Sequence, residues 1–183
     1  DTKVLASTAT VTLSDSPTVS VLNDIAAATG GVVTATLAPD TLASFGTLST
    51  VSTDMITVTV SDAVGASLSA TDLSALGGKT AGTVTVSNAV AISGTAAEVT
   101  AALVTVDTKV VASTATVTIG DSASTALGAS TLSAIGGATS GTVTVSNAVA
   151  ISGTAAEVTA ALVTSDTKVL ASTATVTLSD SPT

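Results

Sequence analysis

Residues 82–105, GTVTVSNAVAISGTAAEVTAALVT, recur without a single change at residues 141–164, a displacement of 59. Residues 1–18, DTKVLASTATVTLSDSPT, recur identically at 166–183, a displacement of 165, and a near copy, DTKVVASTATVTIGDS, occupies 107–122. A diverged copy ends in ITVTVSD at 56–62, which aligns Asp15, Asp62, Asp121 and Asp180 at spacings of 47, 59 and 59. These spacings divide one continuous repeat array, 1–183, into units 15–61, 62–120 and 121–179 with a super-period of 165. Repetition at a fixed period marks an architecture in which each unit is completed by its neighbours. On this reading the chain is one super-period followed by the opening segment of the next, a window on a longer array in which neither a signal peptide nor an anchor is expected.

Within a unit, Thr8–Leu13, Ile56–Val60, Thr83–Val86 and Thr114–Ile119 alternate apolar and hydroxyl residues, the period of a strand with one face inward and one wet. Short helices are expected over Val21–Ala28, closed by Gly30-Gly31, over Thr71–Leu76, closed by Gly77-Gly78, and over Thr131–Ile135 before Gly136-Gly137. Pro39-Asp40 opens a further turn of helix over Thr41–Phe45. Thr95 with Glu98, and their copies Thr154 with Glu157, fit the capping box that starts a helix. The expected fold is mainly β, a repetitive parallel β-solenoid with short helical segments. Tandem β-sandwich domains are the alternative, disfavoured because a sandwich needs about 100 residues, usually around large buried aromatic side chains.

Thr, Ala, Val and Ser fill about two thirds of the positions, as a stacked column demands, because small and β-branched side chains repeat well at the strand spacing while stacked charges repel. The composition also excludes chemistry. With no Cys and no His, the chain cannot build a Cys/His zinc site, a disulfide framework or a His-based triad, and it is not read as an enzyme. A net charge of −9 with four lysines and no arginine argues against nucleic acid and anionic membrane surfaces. No apolar run approaches the roughly 18–20 residues that span a bilayer, so membrane insertion is not expected.

The aligned Asp15, Asp62, Asp121 and Asp180 each follow a strand in a turn. Aligned carboxylates are candidates for calcium, but that ion takes six to eight oxygen ligands and one Asp per unit falls short. No cofactor is therefore expected, and the plainer role is to accept backbone N–H bonds in the turn or at a following helix. Asn88 and Asn147 are expected to form an amide ladder or to occupy left-handed turn positions. Glu98 and Glu157 are one residue of two repeats, explained by the capping box and not by paired-carboxylate catalysis. Lys3, Lys109 and Lys168 repeat in DTKV and are expected to be solvated or paired with nearby acids. The Thr-x-Thr runs would make a hydroxyl and methyl grid on a flat face, similar to the ice-binding faces of β-helical antifreeze proteins.

The motifs SGTAAEVTAAL at 93–103, ATVTLSDSPTVSVLNDIAAATGGVVTATL at 9–37 and LSALGGKTAGTVTVSNAV at 73–90 carry a resemblance. They resemble the Thr/Ala/Val/Ser-rich units of giant repeat proteins of bacterial cell surfaces, notably cyanobacterial ones. The likeness covers essentially the whole chain and lies in repeat style, not in an active site. It implies an extracellular or cell-surface location and a structural or adhesive role. The expectation is a structural protein: a segment of a long extracellular filament or surface layer that self-assembles by head-to-tail stacking, with itself as partner. The alternative is an adhesin stalk or binding surface, with ice binding behind it.

Overall fold

The computed structural model describes residues 7–167 and 169–181. Lys3 and Lys168 lie outside the described residues. The chain winds in successive turns, and each of the first six is built of short strands followed by a helix. The first two turns hold β1 (Val11–Thr12) with α1 (Val19–Ala28), then β2 (Val33–Thr36) with α2 (Leu42–Phe45). The next two hold β3 (Met55–Val60), β4 (Ser67–Ser69) and α3 (Ala70–Gly77), then β5 (Val84–Val86), β6 (Ala91–Gly94) and α4 (Ala96–Leu103). A 3-10 turn at Val106–Thr108 leads into β7 (Val110–Val111), β8 (Thr116–Ile119), β9 (Ala126–Gly128) and α5 (Ala129–Gly137). β10 (Val143–Val145), β11 (Ala150–Gly153) and α6 (Ala155–Leu162) follow, and β12 (Val169–Leu170) and β13 (Thr175–Leu178) come last.

The expectation of a mainly-β parallel β-solenoid, and with it the tandem β-sandwich, is corrected. The protein is α/β: among the described residues six helices of four to ten residues alternate with strands of two to six, and the strands form three sheets that are parallel throughout. Parallel neighbours cannot be joined by tight hairpins and need a crossover, which the helices supply. Ala and Leu build those crossovers beside the β-branched runs: AAEVTAAL and ASTLSAIGG give helices of eight and nine residues.

The sheets run β1-β2-β3-β5-β7, β12-β10-β8-β6-β4 and β13-β11-β9. Ile92, Val117, Val143 and Val169 are register partners in succession, so each turn sets like residue on like. The interval between the helix starts Ala96 and Ala129 is longer than those from Ala70 to Ala96 and from Ala129 to Ala155. The longer interval belongs to the turn with three strands, in which β7 and β8 pair backwards onto β5 and β6 while β8 and β9 pair forwards onto β10 and β11. The inward side chains of these strands and of the helices form one buried column of Val, Ile, Leu and Ala, with Phe45 packed among them near its N-terminal end.

The glycine pairs do not close their helices through a left-handed residue, because Gly65 is the only described glycine with positive φ. Gly77 and Gly136 lie inside α3 and α5, where an added Cβ would overlap the carbonyl oxygens of Thr108 and Thr167. Close packing of each helix end on the next turn, not backbone conformation, requires glycine there.

Candidate functional site

The residues aligned in the repeats meet at the joints between turns. Asp62 Oδ2 accepts from the Leu42 N–H at 2.7 Å, Asp121 Oδ2 from Ala96 N–H at 2.7 Å, and Asp180 Oδ1 from Ala155 N–H at 2.7 Å. Leu42, Ala96 and Ala155 are the first residues of α2, α4 and α6, so each carboxylate caps the N-terminus of a helix that began 20 or 25 residues earlier. The free N–H groups and the positive end of the helix dipole favour an anion at that point. The Asp residues thus act on the preceding turn, not on a helix that follows them. Asp15, ahead of the first helix, is exposed.

The asparagines extend the same joints by one turn. Asn88 Nδ2 donates to the Asp62 carbonyl at 2.7 Å and Asn147 Nδ2 to the Asp121 carbonyl at 2.7 Å. Neither asparagine has positive φ, and the left-handed positions fall instead on Lys109 and Ser124. Three turns are therefore linked: an Asn holds the backbone of an Asp whose carboxylate caps a helix one turn further back. Lys79 Nζ donates to the Gly46 carbonyl at 3.1 Å, tying α3 to the end of α2.

Both capping boxes are formed. The Thr95 N–H donates to Glu98 Oε2 at 2.7 Å while Glu98 N–H donates to Thr95 Oγ1 at 3.3 Å, and Thr154 and Glu157 repeat the pair at 2.8 and 3.3 Å. The Thr95 backbone N–H, then its hydroxyl, then the Thr71 hydroxyl hold the Glu98 carboxyl below its ordinary pKa, because each donates to the charged form. With the folded value below the unfolded one, this contribution is complete above the unfolded pKa and is lost as pH falls through the folded one. An NMR titration should place the Glu98 midpoint below that of an unstructured glutamate, and Thr71→Val should move it upward. Coincident midpoints in the protein and a disordered peptide would refute the arrangement.

A second set of joints was not legible from the repeats. Thr29, Thr80 and Thr139 each stand two residues before a glycine and bond back to the preceding turn. Thr29 Oγ1 donates to the Ala9 carbonyl at 2.5 Å and Thr139 Oγ1 to the Ala115 carbonyl at 2.5 Å, while Gly31 and Gly141 donate to the same hydroxyls at 3.0 Å. The diverged turn adds buried Asp54, whose carboxylate accepts from Val33 N–H at 2.8 Å and Val51 N–H at 3.1 Å. The usable signal was Thr-x-Gly directly ahead of a strand, where no turn demands glycine. Nothing local marks Asp54.

On the outward face, Thr12, Thr34 and Met55 are partners in succession, as are Thr59, Thr85 and Val111, and Thr118, Thr144 and Leu170. Exposed apolar side chains at Met55, Val111 and Leu170 interrupt the hydroxyl grid. A groove of about 420 Å³ lies beside the four-residue helix α2, lined by Leu42, Phe45, Leu68 and Leu76 together with Asp72 and Lys79. Among the described residues no three His, Cys, Asp or Glu side chains gather as metal ligands, and no helix is long and apolar enough to cross a membrane. No family model matches the chain, and no curated protein or solved structure matches it either.

Proposed function

We propose that this chain is a structural segment of a long extracellular filament or surface layer of a bacterial cell, extended by head-to-tail stacking of its repeats. One observation carries the reading: the stack repeats itself from turn to turn, with Ile92, Val117, Val143 and Val169 set in register one on the next. Val117 and Ile119 of β8, held between β6 and β10, are 1% and 0% exposed, so a turn with a neighbour on each side buries its inward residues completely. Covering an aliphatic side chain fully is worth about 1.5–3 kcal/mol, so each turn is stabilised by the turns stacked on it. An unpaired parallel edge also presents a row of backbone donors and acceptors to the next strand.

The physical role follows from the joints. Ladder bonds between turns, capped helices and Thr-x-Gly contacts all run from turn to turn, so the stack is stiffened along its axis without disulfides. With about six turns per copy and about 4.8 Å per turn, each copy adds roughly 30 Å to a filament. Light scattering should rise with concentration, and electron microscopy should show uniform thin filaments with an axial repeat near that length. Compact monodisperse monomers at every concentration would overturn the proposal.

A further inference from the structure

We propose that copies of this chain associate side by side, with β7 of one copy adding to the open edge of β9 of the next. The inference goes beyond head-to-tail stacking, because it uses strand edges on the flank of the stack, each with further turns before and after it. β7 ends the first sheet, since β10 of the next turn pairs with β8 and not with β7. β4 and β9 begin the second and third sheets although earlier turns precede them. Ala150 N–H donates to the Thr125 carbonyl at 2.8 Å, so Thr125 and Leu127 turn toward β11, and Ala126 and Gly128 turn their N–H groups to the open side. Val84 N–H donates to the Lys109 carbonyl at 3.0 Å, which leaves Val110 facing away from β5 at the other open edge. A parallel pair joins one edge of each kind, and the three-strand turn supplies both.

The surroundings of the two edges are complementary. A groove of about 540 Å³ at β9 is lined by Ala97, Ala101, Leu127 and Gly128 together with Asp121. The groove beside α2 stands in the same relation to β4, with Asp62 and Leu68 in the places of Asp121 and Leu127, so the feature recurs with the repeat. That earlier groove holds Lys79, whereas no lysine lines the one at β9. Beside β7, Val106 and Val111 are 76% and 48% exposed and line a hollow with Leu103 and Val104. Lys109, exposed and at φ 52°, stands directly ahead of the strand. Setting Val110 opposite Leu127 keeps two buried residues on the inward face and puts Val111 opposite the exposed Gly128. The same register brings Lys109 opposite Ala126, in the groove that holds Asp121. A lysine thus meets an acidic groove, and exposed valines are covered. The contact joins two different surfaces, so each copy receives one neighbour and offers β7 to another, and open rows of stacks result.

The chain has no cysteine of its own, which allows a direct test. Within a copy β7 and β9 belong to the first and third sheets, with β8 of the second between them, so a disulfide joining positions 111 and 128 forms only between copies. A Cβ at Gly128 makes ordinary contacts, the nearest at 3.6 Å, and Ser69 stands at the equivalent position of β4. Adjacent parallel strands lie at a spacing compatible with a disulfide. Diamide oxidation of V111C/G128C should give a ladder of covalent multimers on a non-reducing gel. V111C/S152C, whose second site is the register partner of Gly128 on a strand paired on both sides, should give none. Lys109→Glu, set against Asp121, and Ala126→Lys, set against Lys109, should each weaken association about tenfold in sedimentation velocity, with the circular dichroism unchanged. K109E/A126K restores an opposite pair and should recover association. A missing V111C/G128C ladder, an equal one from V111C/S152C, or association indifferent to both charge variants overturns the side-by-side contact, and head-to-tail stacking stands if filaments still form. A specific ladder without filaments upholds the side-by-side contact and overturns head-to-tail stacking.

Discussion

Thr80→Val should lower the unfolding free energy by about 3 kcal/mol, because it strands two buried N–H groups at ~1–3 kcal/mol each. Thr80 is 1% exposed, and its hydroxyl accepts from Ile56 N–H and Gly82 N–H, both at 2.8 Å. Its single proton is offered to the carbonyls of Asp54 at 2.9 Å and Ile56 at 2.8 Å. One donor and two acceptor positions are thus all in use, and the side chain stands in for a missing rung of the ladder beside β3. Valine has nearly the same shape, so the loss reports the hydrogen bonds and not a cavity. The urea midpoint should fall at constant slope, and Thr80→Ser, which keeps the hydroxyl, should cost only about 1 kcal/mol for the methyl. A Thr80→Val midpoint equal to that of the wild type would show that these bonds do not hold the turns together.

Two adjacent glycines should respond with opposite sign. An added Cβ at Gly136 would overlap the Thr167 carbonyl of the next turn, a backbone group that cannot rotate away, whereas at Gly137 it meets nothing within 4 Å. Gly136→Ala therefore forces α5 and the following turn apart, at a cost of about 3 kcal/mol, the upper end for overpacking. Gly137→Ala should stabilise by ~0.4–1 kcal/mol, since the helical backbone accepts alanine and the unfolded chain loses freedom. Thermal melts of the two variants should bracket the wild type. Equal destabilisation by both would mean that glycine serves backbone conformation at this helix end after all.

How far each feature was legible follows the distance between bonded partners. The Thr95–Glu98 box needs residues three apart and could be read directly from TAAE. The alternation in TATVTI assigned Val117 and Ile119 inward and Thr118 outward, because side chains on a strand switch faces at every residue. Asp121 was recognisable as a turn residue, yet its partner Ala96 lies 25 residues back, and no local pattern points that far. The same distance hid Thr80 and Asp54. The fold class is hidden from the sequence for a related reason: strand propensity is visible in each Thr-Val run, but the weight of helix depends on the crossover that parallel pairing requires.

By itself, the sequence determined the period, the inward and outward faces of each strand, the helix caps made within one turn and the absence of cysteine and histidine chemistry. These rest on interactions between residues a few positions apart or on composition. Only the tertiary structure decided that the protein is α/β, how much chain one turn takes up, and hence which Asp, Asn, Thr and Gly meet across the joints. The physical reason is the crossover: helix and loop together set the length of a turn, and that length chooses every partner in the turns before and after it.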